Sequence, residues 1–181
     1  TNVSGQITGA HTLLYAVCAA CGRKCRRLEG RAGGAARAAH EHSCDRCKQG
    51  EGFATKLSYN VHVTLAEGGS SLRSLVLFDR VTENTLSLSA EELVQNEAGG
   101  AVEVAARALD SALRGLWLSA SGVVAPKEGY SDWAVKSAPS LFRIGREEPL
   151  APKSVRQHVL QVTAAIRTAA AAEAAAEAEA A

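Results

Sequence analysis

The chain has few aromatic residues, no methionine and almost no net charge. Of its 181 residues 4% are aromatic, and the formal net charge is +1. Near neutrality gives the chain as a whole no long-range attraction to polyanions. It has no run of 18 apolar residues, so we expect no membrane span. Because methionine is absent even from the first position, we expect a fragment of a longer protein.

Recognisable catalytic motifs are also missing. The histidines His11, His62 and His158 are scattered along the chain, away from any carboxylate spacing typical of general base catalysis. The sequence has no Gly-rich phosphate loop, no Ser-His-Asp set and no HExxH motif. We therefore predict that the protein is not an enzyme.

Four of the five cysteines form two pairs with the spacing of a zinc ribbon. Cys18 and Cys21 make the first pair, Cys44 and Cys47 make the second, and 22 residues lie between the pairs. Each pair can present two thiolates to one tetrahedral zinc at about 2.3 Å. The linker is rich in Gly, Ala and Arg and has no apolar periodicity, which is typical of a loop closed by a metal. We predict a structural zinc, since four cysteines leave no position open for catalysis.

Other uses of these cysteines are weaker. Two disulfides require an oxidising compartment, and no signal peptide is visible at the start of the chain. A thioredoxin-like motif requires one Cys-x2-Cys pair at a strand-to-helix junction. Cys25, His40 and His42 lie close to the pairs and are alternative ligands. We predict that these three are bystanders on the solvent side.

Basic residues concentrate around the cysteines. Between residues 18 and 48 the chain carries eight basic residues against three acidic ones. This basic lobe is either a phosphate-contacting surface or a face that offsets the thiolate charge of the metal site. Its basic residues are Arg23, Lys24, Arg26, Arg27, Arg31, Arg37, Arg46 and Lys48.

Hydrophobic periodicity predicts a mainly β fold. Apolar and polar residues alternate from 55 to 65, which favours a half-buried strand, and a Gly-containing turn predicts a hairpin with the next strand. Ser89 is placed to cap a short helix. The predicted elements are one or two strands at 3–17, strands at 55–65 and 74–79, helices at 86–95 and 101–113, and strands at 116–124 and 133–144.

This order matches a five-stranded Greek-key barrel of the OB type. The helices follow the third strand, and the zinc ribbon is inserted between strands 1 and 2. We expect an OB-fold domain over residues 1–150, with the ribbon at 18–48, and a C-terminal Ala-rich helix over residues 151–181.

The arrangement resembles two zinc-ribbon OB domains of DNA-binding complexes. It is similar to the C-terminal DNA-binding domain of the replication protein A large subunit, in the Tyr-Ala-Val-Cys of 15–18, the second knuckle at 44–47 and the strand sequence at 56–63. The lead-in at 13–15, the Cys-x2-Cys-Gly-Arg of 18–23 and the helix at 102–113 are closer to the C-terminal region of shieldin subunit 2. Together the resemblance covers about residues 10 to 145.

The resemblance implies a non-enzymatic module of a single-stranded-DNA-binding complex. Such a complex acts in DNA end protection, repair or replication, in the nucleus and on chromosomes. Its partners are single-stranded DNA, bound with modest affinity, and a partner subunit. The alternative is a pure protein–protein assembly module without intrinsic nucleic-acid binding. The residues expected to contact nucleic acid are Arg23, Lys24, Arg26, Arg27, Arg46, Lys48, Tyr15 and Phe53.

Aromatic scarcity limits the strength of DNA binding. OB domains stack bases on aromatic rings at about 1–3 kcal/mol per base. Tyr15 and Phe53 flank the basic lobe and are the best stacking candidates. We expect Phe78 and Trp117 to be in the core and Trp133 to be exposed.

The C-terminal segment has an apolar helical face. Val155, Val159, Val162 and Ile166 recur at spacings of four, three and four, with Ser154 as a possible N-cap. By the resemblance these four residues face a partner subunit. The alternative is a helix that folds back on its own barrel.

Overall fold

The computed structural model describes residues 1–27, 42–47, 54–68, 71–97, 101–126 and 131–180. Its strands are β1 Val3–Cys18, β2 Arg26–Arg27, β3 His42–Ser43, β4 Thr55–Glu67, β5 Ser71–Phe78, β6 Trp117–Ala120, β7 Val123–Val124, β8 Trp133–Val135 and β9 Ser140–Phe142. Its helices are α1 Asp79–Leu86, α2 Ala90–Glu92, α3 Val102–Leu113 and α4 Pro152–Ala180, with a π-helical turn at Leu93–Glu97.

Seven strands form one curled sheet, a half-barrel, in the order β7-β8-β5-β4-β1-β6-β9. The sheet is mixed because β5 and β8 run parallel while the other pairs are antiparallel. A separate antiparallel pair joins β2 to β3. The prediction of a mainly β fold with helices and a C-terminal helix is confirmed.

The sheet has seven strands where the sequence predicted five. The predicted strand at 116–124 is interrupted between β6 and β7, where Gly122 adopts a positive φ of 67°. The predicted strand at 133–144 is interrupted between β8 and β9, where Pro139 has no N–H to donate to a ladder. Each of these two predicted strands therefore becomes two short ones.

Strand β1 is a single strand of 16 residues that pairs with two neighbours. Its first residues pair with β6, and from Gln6 to Cys18 it pairs with β4, with a register shift between Ile7 and Gly9. Gly5 permits the close approach of β1 to β4 at this point, since a Cβ there would lie 2.5 Å from the carbonyl oxygen of Ala66. Strands β4 and β6 therefore lie on opposite sides of β1.

The core lies between the concave side of the sheet and the helices. Tyr59, Val61, Val63 and Leu65 alternate inward along β4 and are buried, as the period of two predicts. Ser89 caps α2 by accepting a hydrogen bond from the N–H of Glu92 at 3.1 Å, which confirms the predicted cap. Helix α3 packs its alanine- and leucine-rich face against β1 and α4.

Helix α4 packs against α3 and α1. It begins at Pro152, so Ser154 lies inside the first turn rather than at the N-cap. Proline suits that first position because its missing N–H is not needed there. Within the described parts of the chain, no helix combines the length and the hydrophobicity needed to cross a bilayer.

Candidate metal centre and surrounding surface

The four predicted ligand cysteines meet at one point. Their Sγ atoms all lie within 4.8 Å of one another. Cys18 and Cys47 are 3.8 Å apart at sulfur, and Cys21 and Cys44 are 3.5 Å apart. A tetrahedron of thiolates at 2.3 Å from zinc has sulfur–sulfur edges of about 3.8 Å. The cluster therefore has the dimensions of a four-thiolate metal site, and no disulfide forms, since a disulfide bond is about 2.05 Å long.

A tight turn positions the first pair. The N–H of Gly22 donates to the carbonyl oxygen of Cys18 at 2.8 Å, and the N–H of Cys18 donates to the carbonyl oxygen of Arg23 at 2.9 Å. Gly22 has a φ of 69°, which a side chain would strain. The turn directs the thiols of Cys18 and Cys21 toward the second pair, so this glycine is part of the metal site's framework.

Hydrogen bonds shift the pKa values of the two thiols of the second pair in opposite directions. Hydrogen bonds from the backbone N–H groups of Cys47 and Arg46 lower the pKa of the Cys44 thiol to about 7. Hydrogen bonding to the thiols of Cys21 and Cys18 raises the pKa of Cys47 to about 12. A bound cation would displace the protons from these thiols.

The fifth cysteine lies beside the cluster but outside it. Cys25 is buried together with Cys18 and Cys44, so it is not on the solvent side as predicted. Burial, followed by the charges of Cys44, Cys18 and Cys21, raises the pKa of its thiol. Among the described residues, the group of potential metal ligands at this point excludes Cys25. His42 lies in β3, and His40 lies outside the described residues.

Three of the predicted phosphate contacts are exposed around the cluster. They are Arg23, Lys24 and Arg46. Arg26 and Arg27 form strand β2 and pair with β3. Lys48 and Phe53 lie outside the described residues.

The predicted stacking residue Tyr15 is half-buried on β1. The Nζ atom of Lys24 lies 5.5 Å from the centre of its ring, within the range of a cation–π contact. The ring therefore helps to position Lys24 beside the metal cluster.

A groove of about 380 Å³ lies on the outer face of β4, β5 and β8. Phe78 projects into it and is 44% exposed, so its predicted core position is wrong. Strand β5 is apolar on both faces: Leu75 and Leu77 turn inward, which sends Val76 and Phe78 outward. The sequence of β5 does not reveal this groove, because an apolar run by itself does not show which residues lie on which face of the strand.

Polar side chains also line this groove. His62 Nδ1 lies 2.9 Å from an oxygen of Asp132. A hydrogen bond from Ser74 and the nearby His62 lower the pKa of Asp132, against the opposing effect of burial. Asn60 and Lys136 complete the polar lining. The groove thus combines an exposed ring with hydrogen-bonding groups and a cation.

The predicted partner-facing residues of α4 divide into two groups. Val155 and Val159 are 2% and 1% exposed and belong to the hydrophobic core of the chain itself. Val162 is half-buried and packs against the same core, whereas Ile166 is half-buried and lies outside it. Val155 and Val159 therefore pack within the chain itself, which agrees with the alternative prediction that the helix folds back on its own domain.

Comparison of the sequence with protein-family models and with curated proteins found no match.

Proposed function

We propose that this chain is a non-enzymatic, zinc-bearing OB-type module that binds single-stranded DNA. By the resemblance described above, it acts in a nuclear complex for DNA end protection, repair or replication. The observation that carries the proposal is the groove with the exposed Phe78 ring, which lies farther along the strand β4 whose first residue pairs with the metal ligand Cys18.

Zinc is the metal that best suits the four cysteines. Four thiolates at tetrahedral spacing favour soft, tetrahedral ions, of which zinc is the usual structural example. Four protein ligands fill the coordination sphere, so no water or substrate position remains on the metal. The zinc would then stabilise the lobe rather than catalyse a reaction.

The strand pairings support a five-stranded barrel. If β6 with β7 and β8 with β9 are two interrupted strands, the pairings run from β1 through β4 and β5 to β8, and return through β9 and β6 to β1. The β7–β8 pair reinforces that return. The zinc ribbon then lies between barrel strands 1 and 2, since β1 ends at Cys18 and β4 begins at Thr55.

On this assignment the groove occupies the usual oligonucleotide-binding face. In OB folds, strands 2 and 3 and the adjoining loops bind single strands. These strands correspond here to β4 and β5, which carry Asn60 and Phe78 as register partners. Phe78 would stack a base, and Lys136 lies in the same groove to meet a phosphate.

Strand β4 connects the groove to the basic lobe. Thr55 pairs with Cys18, and Asn60 lies five residues farther along the same strand, about 17 Å away. A nucleic-acid strand that leaves the groove in this direction reaches the exposed cations Arg23, Lys24 and Arg46 within a few nucleotides. These cations would supply the salt-dependent part of the affinity.

The test is fluorescence anisotropy of a labelled single-stranded oligonucleotide at low and at physiological salt. Phe78→Ala should weaken binding about 5- to 150-fold, the equivalent of one lost base stack. The matched control is Leu72→Ala, which removes another exposed apolar side chain on the outer face of β5, outside the groove. Arg46→Glu should weaken binding at low salt and flatten its salt dependence. If all three variants bound the oligonucleotide with the affinity of the wild-type protein, the groove and the lobe would be refuted as the binding surface.

The second candidate function is partner docking through α4. No described residue after Thr163 on this helix is buried, and from Ala169 onward the helix is alanine with glutamate. An alanine-rich helix without tertiary contacts is only marginally stable in water. A partner helix packed on Val162 and Ile166 would stabilise it. Absence of oligonucleotide binding at low salt, with α4 needed for partner capture, would favour this function.

A further inference from the structure

A second concave surface, separate from the groove at Phe78, lies on the outer faces of β1, β6 and β9. Its volume is about 400 Å³. Trp117 and Phe142 form one wall, Ser4 and Ser119 form the floor, and the turn at residues 143–147 forms the rim. None of these residues was assigned a function from the sequence.

Strand register organises the surface into an aromatic row and a hydroxyl row. Trp117 pairs directly with Phe142 across the β6–β9 ladder, so the two rings project from neighbouring strands on the same face. Ser119 pairs with Ser140 on one side and with Ser4 on the other. Trp117 is 40% exposed, so its predicted core position is wrong.

The inward side chains of β6 explain this exposure. Leu118 and Ala120 are buried, and alternation along a strand sends Trp117 and Ser119 to the opposite face. A large ring exposed to solvent in a chain so poor in aromatic residues is unexplained by the packing of the core.

A tight turn presents two arginines at the rim. The N–H of Arg146 donates to the carbonyl oxygen of Arg143 at 3.0 Å, and Gly145 has a φ of 76°. Both arginines are exposed, and within the described ranges neither forms an ion pair. Glu147 also lines the surface, so one carboxylate opposes the two guanidinium groups there.

The edge of the sheet at this surface is not open to strand addition. The outer edge of β9 is covered where the N–H of Leu150 donates to the carbonyl oxygen of Leu141 at 2.6 Å. The serine row is polar and therefore poorly suited to an apolar helix. Exposed aromatic rings on a sheet with nearby arginines are instead the usual means of holding single-stranded bases.

We propose that this surface is a second contact site for single-stranded nucleic acid. A base stacks on Trp117, and the adjoining phosphates face Arg143 and Arg146. The inference rests on the proposed function, because it presumes a nucleic-acid ligand, but it adds a site on different strands from the groove at Phe78.

The two tryptophans of the chain allow a direct test. The ring of Trp133 lies under the guanidinium group of Arg73, 4.7 Å from its centre, and is away from this surface. In Trp133→Phe protein all tryptophan emission therefore comes from Trp117. Titration with unlabelled oligothymidylate should quench this emission, because a stacked base quenches an indole. In the anisotropy assay, the Trp117→Leu variant should bind the labelled oligonucleotide about 5- to 150-fold more weakly than the wild-type protein does.

A charge variant tests the same site without removing a packed ring. Glu147→Gln should tighten binding about two- to fivefold at low salt and have little effect at high salt, because it removes a carboxylate beside the phosphates. The matched control is Glu148→Gln, whose side chain is exposed but does not line the surface. Circular dichroism of each variant checks that the fold is retained.

The outcomes separate this inference from the proposed function. Oligonucleotide binding with unchanged Trp117 emission, and with unchanged affinity in Trp117→Leu and Glu147→Gln, would overturn the second site and leave the groove in place. Quenching that persists in Phe78→Ala would support two separate contacts. Failure of the wild-type protein to bind any oligonucleotide at low salt would overturn both proposals.

Discussion

Removal of the metal should unfold the basic lobe and leave the seven-stranded sheet and its helices folded. The described part of the lobe comprises ten residues at 18–27 and six at 42–47. Its buried apolar cluster consists of Cys18, Cys25 and Cys44, whereas the core between the sheet and the helices includes Tyr59 and more than twenty other buried side chains. The lobe therefore depends on the metal far more than the sheet and its helices do.

The magnitudes agree with this expectation. Ordering sixteen residues costs about 16 kcal/mol at the lower estimate of 1 kcal/mol per residue. Three buried cysteines contribute about 1 kcal/mol each. A structural zinc supplies about 10–16 kcal/mol, which is the amount that the lobe lacks. Without the metal, the folded lobe is unstable by about this quantity.

The assay is a two-dimensional amide NMR spectrum before and after chelation. Amides of residues 18–27 and 42–47 should lose their dispersion, while those of β4, β5 and α3 should keep theirs. Cys44→Ser should give the same spectrum as chelation and lose about one equivalent of bound zinc. Cys25→Ser is the matched control and should retain the zinc, because Cys25 lies outside the four-sulfur cluster. An unchanged lobe spectrum after complete metal removal would refute the reasoning.

Three further predictions concern the sheet and the helices packed on it. Tyr59→Phe should stabilise the protein by about 1 kcal/mol in urea denaturation, since the buried Tyr59 hydroxyl has no hydrogen-bond partner among the described residues; a loss of stability would reveal a partner. Val159→Ala should destabilise by about 2 kcal/mol, whereas Ile166→Ala should be nearly neutral, because only Val159 is buried in the core; equal losses would contradict this packing. The pKa of Asp132 is lowered in the folded protein by the hydrogen bond from Ser74 and by His62. Its contribution to stability is therefore complete above the unfolded pKa and is lost as the pH falls through the folded pKa. The free energy of unfolding of Asp132→Asn protein, measured as a function of pH, should lack this loss. Identical acid profiles for the variant and the wild-type protein would contradict the prediction.

Local patterns predicted the elements that depend on local chemistry. The cysteine spacing predicted the cluster because a metal requires its ligands at one point, whatever path the linker takes. The alternation along β4 predicted its buried face, and Ser89 was recognised as a cap from its position before two glutamates. These features need only a few neighbouring residues to specify them.

Features that depend on distant neighbours were not predictable in the same way. Phe78 and Trp117 lie in apolar stretches, so the sequence does not show which face of each strand is buried. In the structure their neighbours Leu77 and Leu118 point into the core, and both rings therefore lie on the exposed face. The face of α4 at Val155 and Val159 would look the same whether α3 or a partner covered it. Hydrophobic periodicity identifies a buried face but not what buries it.

The two halves of the metal centre are anchored separately, Cys18 at the end of β1 and Cys44 directly after β3. The length of the chain between them therefore does not enter the geometry of the site. When the ends of a loop are tied, each doubling of its length costs only about 0.6 kcal/mol. Related chains could gain or lose many residues between Arg27 and His42 and still keep the same four ligands, so divergence in length should concentrate there.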